Sequence, residues 1–494
     1  MSTDSISYRH RGITPRNMRL AAVLAIAFVL LNALAIYRYD TFAFSALPLV
    51  VLGAVLLVKN PRALLLVLVV ATPLSFNFEN LTAFKGIGFY FPTEPILFVL
   101  MVLYLLKLGQ GYRERREFMR HPLTVAIVVN LVWIAVTVLF SQHFFISLKF
   151  LVSRLWFVLV MYFMINHYFA SRRYISNFVK AYIFSLSLVI IYTVSRHSLY
   201  GFSETAGHWV MWPFYKDHTS YGALIALFYP MVIFHLWRLR WKGFSKLLWL
   251  VIFAIFSVGL YYSYTRAAWV SLTGAAGVFM LIKLRIDFKV FLVFVGMVLA
   301  GFFAFQDEII HNMEKNRQDS SDDITEHIRS ITNISSDASN LERLNRWNSA
   351  LKMFADKPLM GHGPGTYAFE YAKYQKSSDR TIISTNMGDG GNAHSEYLGP
   401  LSESGALGAL TILAVMIVSL AVGIRLYYQL DHDPYLKGVV LAIVLGLVTY
   451  YLHGVLNNFL DTDKASVPLW GMMSILVAIS IYHRRGRSLE TAEK

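Results

Sequence analysis

The sequence predicts an all-α protein that crosses a membrane about twelve to fourteen times. Hydrophobic residues make up 56% of the chain and charged residues only 15%, with a mean hydropathy of +0.49. That is far from the composition of a water-soluble domain. The apolar residues lie in runs of roughly 17 to 25, the length a helix needs to cross a bilayer. Lipid offers the backbone no hydrogen-bond partner, so such runs are expected to be helical throughout. The third observation is a single polar interruption. Between Gln306 and Gly405 sit 15 of the 30 acidic residues but only 10 of the 45 basic ones.

In chain order the spans fall near 20–37, 42–58, 62–77, 92–107, 122–140, 147–169, 174–195, 219–237, 246–264, 266–283, 288–305, 407–428, 436–456 and 467–483. The two at 42–58 and 62–77 are the shortest, and several short runs also fit re-entrant segments. The chain thus divides into an N-terminal bundle of about eleven spans (1–305), a polar loop (306–405), and about three further spans with a tail (406–494). Basic residues mark the cytoplasmic side of a membrane protein. They gather at Arg9 to Arg19, in alternate loops such as Lys107 to Arg120, Arg172-Arg173 and Arg238 to Lys246, and at Arg484 to Arg487. Both termini are therefore expected in the cytoplasm, and the loop 306–405 outside.

The net charge of +15 follows from those loops facing anionic lipid, and no nucleic-acid partner is needed to explain it. The first run, followed by Ala33-Leu34-Ala35, has features of a signal peptide but reads better as a signal-anchor span. The absence of cysteine excludes disulfides, thiolate metal sites and cysteine nucleophiles. No fixed-period repeat and no low-complexity tract is present. Nor do paired, Gly/Pro-broken spans recur in two halves, the pattern expected of a transporter.

Within the polar loop, 307–338 is rich in Ser and Asp and reads as exposed. A helix is expected to start next, because Ser339-Asn340-Leu341-Glu342 fits a capping box. Leu344, Trp347, Leu351 and Phe354 follow at helical spacing as one apolar stripe, flanked by Arg343 and Arg346. That stripe predicts a helix lying on the membrane face or on other spans. Pro358 and Gly361-His362-Gly363-Pro364-Gly365 then end the helix and turn the chain. The glycine run lacks the Lys-Ser/Thr pair of a phosphate-binding loop and reads as a structural turn. After Gly388-Asp389-Gly390-Gly391, Asn392 is expected to cap a helix carrying His394, Leu398 and Leu401 on one face and Glu396 and Glu403 on another.

Arg266 stands at the expected external end of a span, in Tyr261-Tyr262-Ser263-Tyr264-Thr265-Arg266-Ala267-Ala268-Trp269. An arginine at a membrane boundary is costly unless paired, which points to function; a snorkelling interfacial arginine among belt aromatics is the other reading. His394 reads equally as a surface histidine or a catalytic one, and Arg343 and Arg346 as a solvated face or a binding face. Lys149 and Arg154 are charges inside or at the edge of a predicted span. All three groups around Arg266, Arg343 and His394 fall on one side of the membrane in this topology.

The pattern of these segments resembles the O-antigen ligase/polymerase superfamily. Ser263-Tyr264-Thr265-Arg266-Ala267-Ala268-Trp269 is similar to its span-terminal Ser-x-x-Arg element. Glu342-Arg343-Leu344-Asn345-Arg346-Trp347, followed by Pro358-Leu359-Met360-Gly361-His362-Gly363, resembles its Arg-x-x-x-Trp…Pro-x-x-Gly-x-Gly element. Asn392 to Leu398 with Glu403-Ser404-Gly405 resembles its histidine element and the Glu-x-Gly leading into the next span. Asp217-His218-Thr219-Ser220-Tyr221-Gly222 fits the loop before a middle span. The resemblance covers roughly residues 215–430 and does not separate ligase from polymerase. The chain departs from it in having about two spans more than the twelve usual in ligases, and in offering two arginines, of which Arg343 is better spaced from Trp347.

The resemblance implies a GT-C type glycosyltransferase of the bacterial inner membrane, working on the periplasmic side. The donor would be a glycan on undecaprenyl diphosphate. The acceptor would be lipid A–core oligosaccharide for a ligase, or a second lipid-linked unit for a polymerase. Arginine forks suit the diphosphate whose charge grows as the glycosidic bond breaks. Arg266 and Arg343 are expected in that role, and His394, with an ordinary pKa of about 6.5, as the base for the acceptor hydroxyl. Arg346, Glu396, Glu403, His218, Lys149 and Arg154 are the expected substrate-binding residues. Direct attack would invert the anomeric carbon. No Asp-x-Asp ligand set stands out, so neither a metal nor a cofactor is expected. A non-enzymatic transporter or flippase is the contrasting reading.

Overall fold

The computed structural model describes residues 59–77, 90–239, 243–285, 342–375 and 391–483, with a few helical positions between 23 and 33. The spans expected at 42–58 and 288–305, most of that at 20–37, the Ser/Asp-rich segment 307–338, the Ser339 cap, Gly388 to Gly390 and the basic tail lie outside those residues. The chain divides into two compact units, Met1–Leu64 and Leu65–Lys494, and the site described below belongs entirely to the second.

Each expected span that falls on described residues is a helix. They are α1 (Pro61–Leu74), α2 (Thr93–Gly109), α3 (Pro122–Leu139), α4 (Phe144–Val158, continued by helical turns to Ala170), α5 (Arg172–Ser198), α6 (His218–Arg238), α7 (Phe244–Tyr261) and α8 (Arg266–Lys283). After the polar loop come α10 (Leu398–Gln429), α11 (Pro434–His453) and α12 (Asp463–Ala478, continued by a π-turn to His483); α9 is the loop helix over 342–356. Among the described residues, eight helices are long and apolar enough to cross a membrane: α3 to α7 and α10 to α12, counting α4 and α12 with their continuations. The protein is therefore an all-α polytopic membrane protein. One two-residue ladder interrupts it, Phe76–Asn77 against Tyr90–Phe91, antiparallel with Phe76 opposite Phe91.

Local sequence explains the helix starts. Asp217 caps α6 by accepting from Ser220 N at 2.8 Å, and Asp433 caps α11 by accepting from Leu436 N at 3.2 Å, with Pro434 at the first helical position. An acidic cap satisfies donors that the first turn leaves orphaned, and a proline there has no donor to lose. In the bundle, α11 packs against α6, α8 and α10, while α10 also packs on α3. Small residues let these backbones approach in the absence of a hydrophobic drive between helices. At Gly446 of α11, for example, a Cβ would stand 2.5 Å from the Leu227 carbonyl oxygen of α6.

Helix α12 is the most enclosed, with every residue from Asp463 to Ile479 buried. Its two charges are fully satisfied inside. Lys464 donates to the carbonyls of Thr72, Pro73 and Ser75 at the end of α1, and Asp463 accepts from Ser75 and Thr93 hydroxyls at 2.5 and 2.6 Å. Buried ions persist only when paired and hydrogen-bonded in this way.

The polar loop departs from expectation in two places. Helix α9 ends at 356, as Pro358 predicts, but it does not bury the Leu344–Trp347–Leu351–Phe354 stripe. Its buried face is Glu342, Asn345, Arg346, Ser349, Ala350 and Met353, whereas Leu351 is 47% exposed. Ala350 and Met353 pack with Tyr367, Tyr371 and Ala393. The small residues win this face because two stacked tyrosine rings, 5.2 Å apart, fill the space beneath them. The second departure is the segment 392–397, which is a loop and not a helix. Asn392 does accept from a backbone amide, but from His394 N at 3.0 Å, closing a tight turn in which His394 has φ +47°. Ser395 Oγ accepts from Tyr397 N and Leu398 N, so α10 starts at Leu398. His394, Leu398 and Leu401 therefore do not share a helical face.

The Gly361–Gly365 run is a structural turn, as expected. Gly363 has φ +118°, and a Cβ there would lie 2.0 Å from Ser141 Oγ, so only glycine fits against the turn between α3 and α4. The run is laced to the start of α10: His362 N donates to Ser402 O (3.2 Å), Gly363 N to Glu403 O (2.8 Å), and Ala406 N to Pro358 O (2.9 Å). Gly405, at φ +70°, breaks α10 at that crossing into a short leading segment and the span proper.

Candidate active site

One end of the bundle gathers polar side chains from segments far apart in sequence. The N-terminus of α6 brings Asp217 and His218, α9 brings Arg343, the 392–397 turn brings His394, and the C-terminus of α11 brings His453. Asp217, Arg343 and His218 lie within electrostatic reach of one another, and both Asp217 and Arg343 also reach His394 and His453. His208 stacks on His218 with ring centroids 4.2 Å apart. The turn holding His394 is fastened to α9, since Arg346 Nη1 donates to Asn392 O at 3.1 Å and Trp347 Nε1 approaches His394 O at 3.5 Å.

The electrostatics follow from this enclosure. Burial, then the positive charges of Arg346 and Arg343, hold the His394 imidazole down at about 4, with Asp217 and Glu342 opposing. The ring is thus neutral at physiological pH, and it makes no hydrogen bond to the described residues. Burial also lowers the Arg343 guanidinium from its usual value, and Asp217 opposes that. A guanidinium starts so high that it stays charged.

Arg266 is brought near this cluster without a hydrogen bond or ion pair to its described residues. It is the first residue of α8 and exposed. The residue before it, Thr265, donates through its hydroxyl to the His218 carbonyl at 2.8 Å, so the starts of α6 and α8 abut. At Gly222, one turn along α6, a Cβ would meet Thr265 at 2.7 Å.

The two loop arginines, three residues apart, have different surroundings. Arg346 is committed to the fold: Nε donates to Glu342 Oε1 at 2.7 Å, Nη1 to Asn392 O, and the guanidinium lies 5.3 Å over the Tyr371 ring. Arg343 faces Asp217 and the histidines.

Glu396 and Glu403, expected as substrate-binding residues, have carboxylates engaged by the fold. Glu396 Oε1 accepts from Tyr450 Oη (2.6 Å), Phe459 N (2.7 Å) and Leu460 N (2.8 Å), which ties the His394 turn to the loop after α11. Burial pushes its carboxyl up to about 7, with Asp461 adding and the three donors opposing. Glu403 accepts from Gly365 N at 3.0 Å and Tyr367 N at 2.9 Å, and so holds the glycine turn. Sequence spacing gave no sign of these acceptor roles, because their donors are backbone amides remote in the chain.

Lys149 and Arg154 line a separate cavity of about 210 Å³ between α4, Gly365 and the loop after α11. Arg154 Nη2 donates to Asp461 Oδ1 at 2.8 Å. From there a chain of contacts runs through Asn458 (3.3 Å) to Asn392 (2.7 Å), two residues from His394. The cavity and the histidine cluster are therefore joined by one polar network. Sequence reasoning missed Asp461, Asn458, Asp217 as a charge in the site, and His453. The Asn457-Asn458 pair just past an apolar run was the available signal.

The structure thus defines a polytopic helical membrane protein in which arginines, histidines and an aspartate converge at one end of its spans. Residues 251–413, about a third of the chain, match the family model described as O-Antigen ligase. The matched stretch contains Arg266, Arg343, the glycine turn, His394 and Glu403, whereas Asp217 and His218 precede it. An uncharacterized protein of Haemophilus influenzae is 22% identical over 219 residues, which are 44% of this chain and 52% of that protein. The chain thus spans about half the length of the curated relative it matches.

Proposed function

We propose that the protein is an O-antigen ligase-like glycosyltransferase, which moves a glycan from undecaprenyl diphosphate to lipid A–core on the periplasmic side of the inner membrane. The observation that carries the reading is the meeting of Arg343 and His394, 51 residues apart in the polar loop, over Asp217 and His218 within a stretch that largely matches the family. In this reading the acceptor hydroxyl oxygen attacks the anomeric carbon while the bond to the diphosphate oxygen breaks. The hydroxyl proton goes to His394, and the charge released on the diphosphate is held by Arg343 and Arg266. Attack from the face opposite the leaving group inverts the anomeric centre.

The low basicity of His394 fits this order of events. Its ring is neutral and ready to accept a proton, and a diphosphate beside Arg343 would offset the charge that holds its pKa down. The base would strengthen as the donor binds. Arg154, joined to the site through Asp461 and Asn458, and Lys149, which lines the same cavity, supply further positive charge for the lipid diphosphate. His218 and its stacked partner His208 offer contacts for the glycan.

The test is transfer by the purified protein from lipid-linked glycan to each of two acceptors. Product on lipid A–core is expected. Product only on a second lipid-linked unit would make the protein a polymerase of the same superfamily, and product on neither would favour a transporter or flippase. Reporter fusions are expected to put both termini in the cytoplasm and residues 306–405 outside; the reverse would sink the periplasmic site.

A further inference from the structure

The mechanism above leaves one buried histidine of the cluster unused. His453 is the last residue of α11 and only 1% exposed, yet neither Nδ1 nor Nε2 has a hydrogen-bond partner. Asn457, on the turn that follows, also leaves Nδ2 buried and unpartnered. An imidazole with both nitrogens unmet inside a protein is costly, because each unmade hydrogen bond forfeits the group's solvation. Phe459 packs near its ring at 5.8 Å, which supplies an apolar wall but no polar partner.

The location of the ring gives that cost a reason. Asp217, Arg343 and His218 are all within its electrostatic reach, so it looks into the cluster and not towards lipid. It is also rigidly indexed to the proposed base. The next residue, Gly454, accepts through its carbonyl from Glu396 N at 2.8 Å, and Glu396 is two residues from His394. The Glu396 carboxylate then clamps the far end of the same turn at Phe459 and Leu460. Two imidazoles, both within electrostatic reach of Arg343, are thereby held in one frame.

We propose that His453 is a further substrate-contacting residue, whose imidazole hydrogen-bonds sugar hydroxyls of the glycan held beside Arg343. The proposal rests on the glycosyltransferase reading. Sugar hydroxyls both donate and accept, so they satisfy an imidazole in either protonation state, which an anion or a carbonyl alone does not. A site built to hydrogen-bond a hydroxyl discriminates strongly against a sugar lacking it, because its own polar atoms are then stranded. His453 thus bears on which glycan is accepted, while His394 and the arginines bear on transfer itself.

The test compares wild type, His394→Ala, His453→Phe and His453→Gln as purified full-length proteins. The donor is polyprenyl-diphosphate glycan extracted from cells lacking this protein, and the acceptor is lipid A–core. His453→Phe fills the same space without polar atoms, so its thermal midpoint is expected at or above that of wild type. Its kcat/KM is expected to fall about 10- to 100-fold, mostly through KM, and His453→Gln is expected to recover a large part of the loss. Should the Phe variant not fold, His453→Met carries the same expectation. An apolar variant within twofold of wild type, with His394→Ala still inactive, overturns the role of His453 and leaves the glycosyltransferase reading standing. No transfer by wild type overturns both.

Discussion

Arg343 and Arg346 sit on one helix a turn apart, yet they belong to two different regions of the molecule. Arg346 is in the region where polar groups are saturated: Glu342, Asn392 and Tyr371 surround it, and Glu396, Glu403 and Lys464 are similarly engaged elsewhere. Arg343 is in the region where charges and rings face one another across the ends of α6, α9 and α11, with His394 and His453 offering nitrogens that no described residue takes up. The difference teaches that charge and position in sequence do not distinguish scaffold from chemistry here. What distinguishes them is what surrounds each: scaffold carboxylate, carbonyl and ring at Arg346, the aspartate and histidines of the cluster at Arg343.

The largest effect is expected where that contrast is sharpest. Arg343→Ala and His394→Ala should each reduce glycan transfer by about 10²–10⁴-fold, with thermal stability in detergent little changed. Wild-type surface glycan in cells relying on either variant would remove these residues from catalysis. Arg346→Ala should do the opposite. It removes one member of a buried ion pair whose side chains are only 8% and 4% exposed. Breaking such a pair costs about 3–5 kcal/mol, readable as a lower unfolding midpoint. A smaller loss is expected for Glu403→Gln. One carbonyl oxygen replaces two acceptors, so one of the amides of Gly365 and Tyr367 goes unmet, for about 1–3 kcal/mol.

The sequence made one of these regions legible and not the other. Runs of apolar residues announce spans because lipid permits few alternatives, and all eleven expected spans on described residues are helices. Pro358 and the glycine run announced the turn because backbone conformation is local. The face of α9 was misread for the converse reason. Its apolar stripe is real, but Tyr367 and Tyr371, brought back from beyond the turn, select the face with Ala350 and Met353. His394 is legible through motif resemblance and Asp217 stands in a resembling segment without a role of its own, whereas His453 emerges only when α6 and α11 pack together.

The subtlest prediction concerns acidity, and it tests whether the two regions are separable at all. With His394 held near 4 by burial, Arg346 and Arg343, the ring is ~97% neutral at pH 5.5. At an ordinary pKa of about 6.5 it would be only ~10% neutral there. The kcat/KM profile should therefore show no fall near pH 6.5 attributable to this base, and its acid limb should lie well below. Arg346 is the first of the two charges that depress the ring. Arg346→Met keeps the length of the side chain and removes the charge, while the carboxylate of Glu342 remains nearby. Losing that charge raises the pKa of His394, so more of the ring is protonated at a given pH and the acid limb moves upward. If the limb shifts in that variant, the scaffold arginine also tunes the base, and saturation by the fold does not exclude a part in the chemistry. If it stays in place while stability falls, the two regions are electrostatically independent.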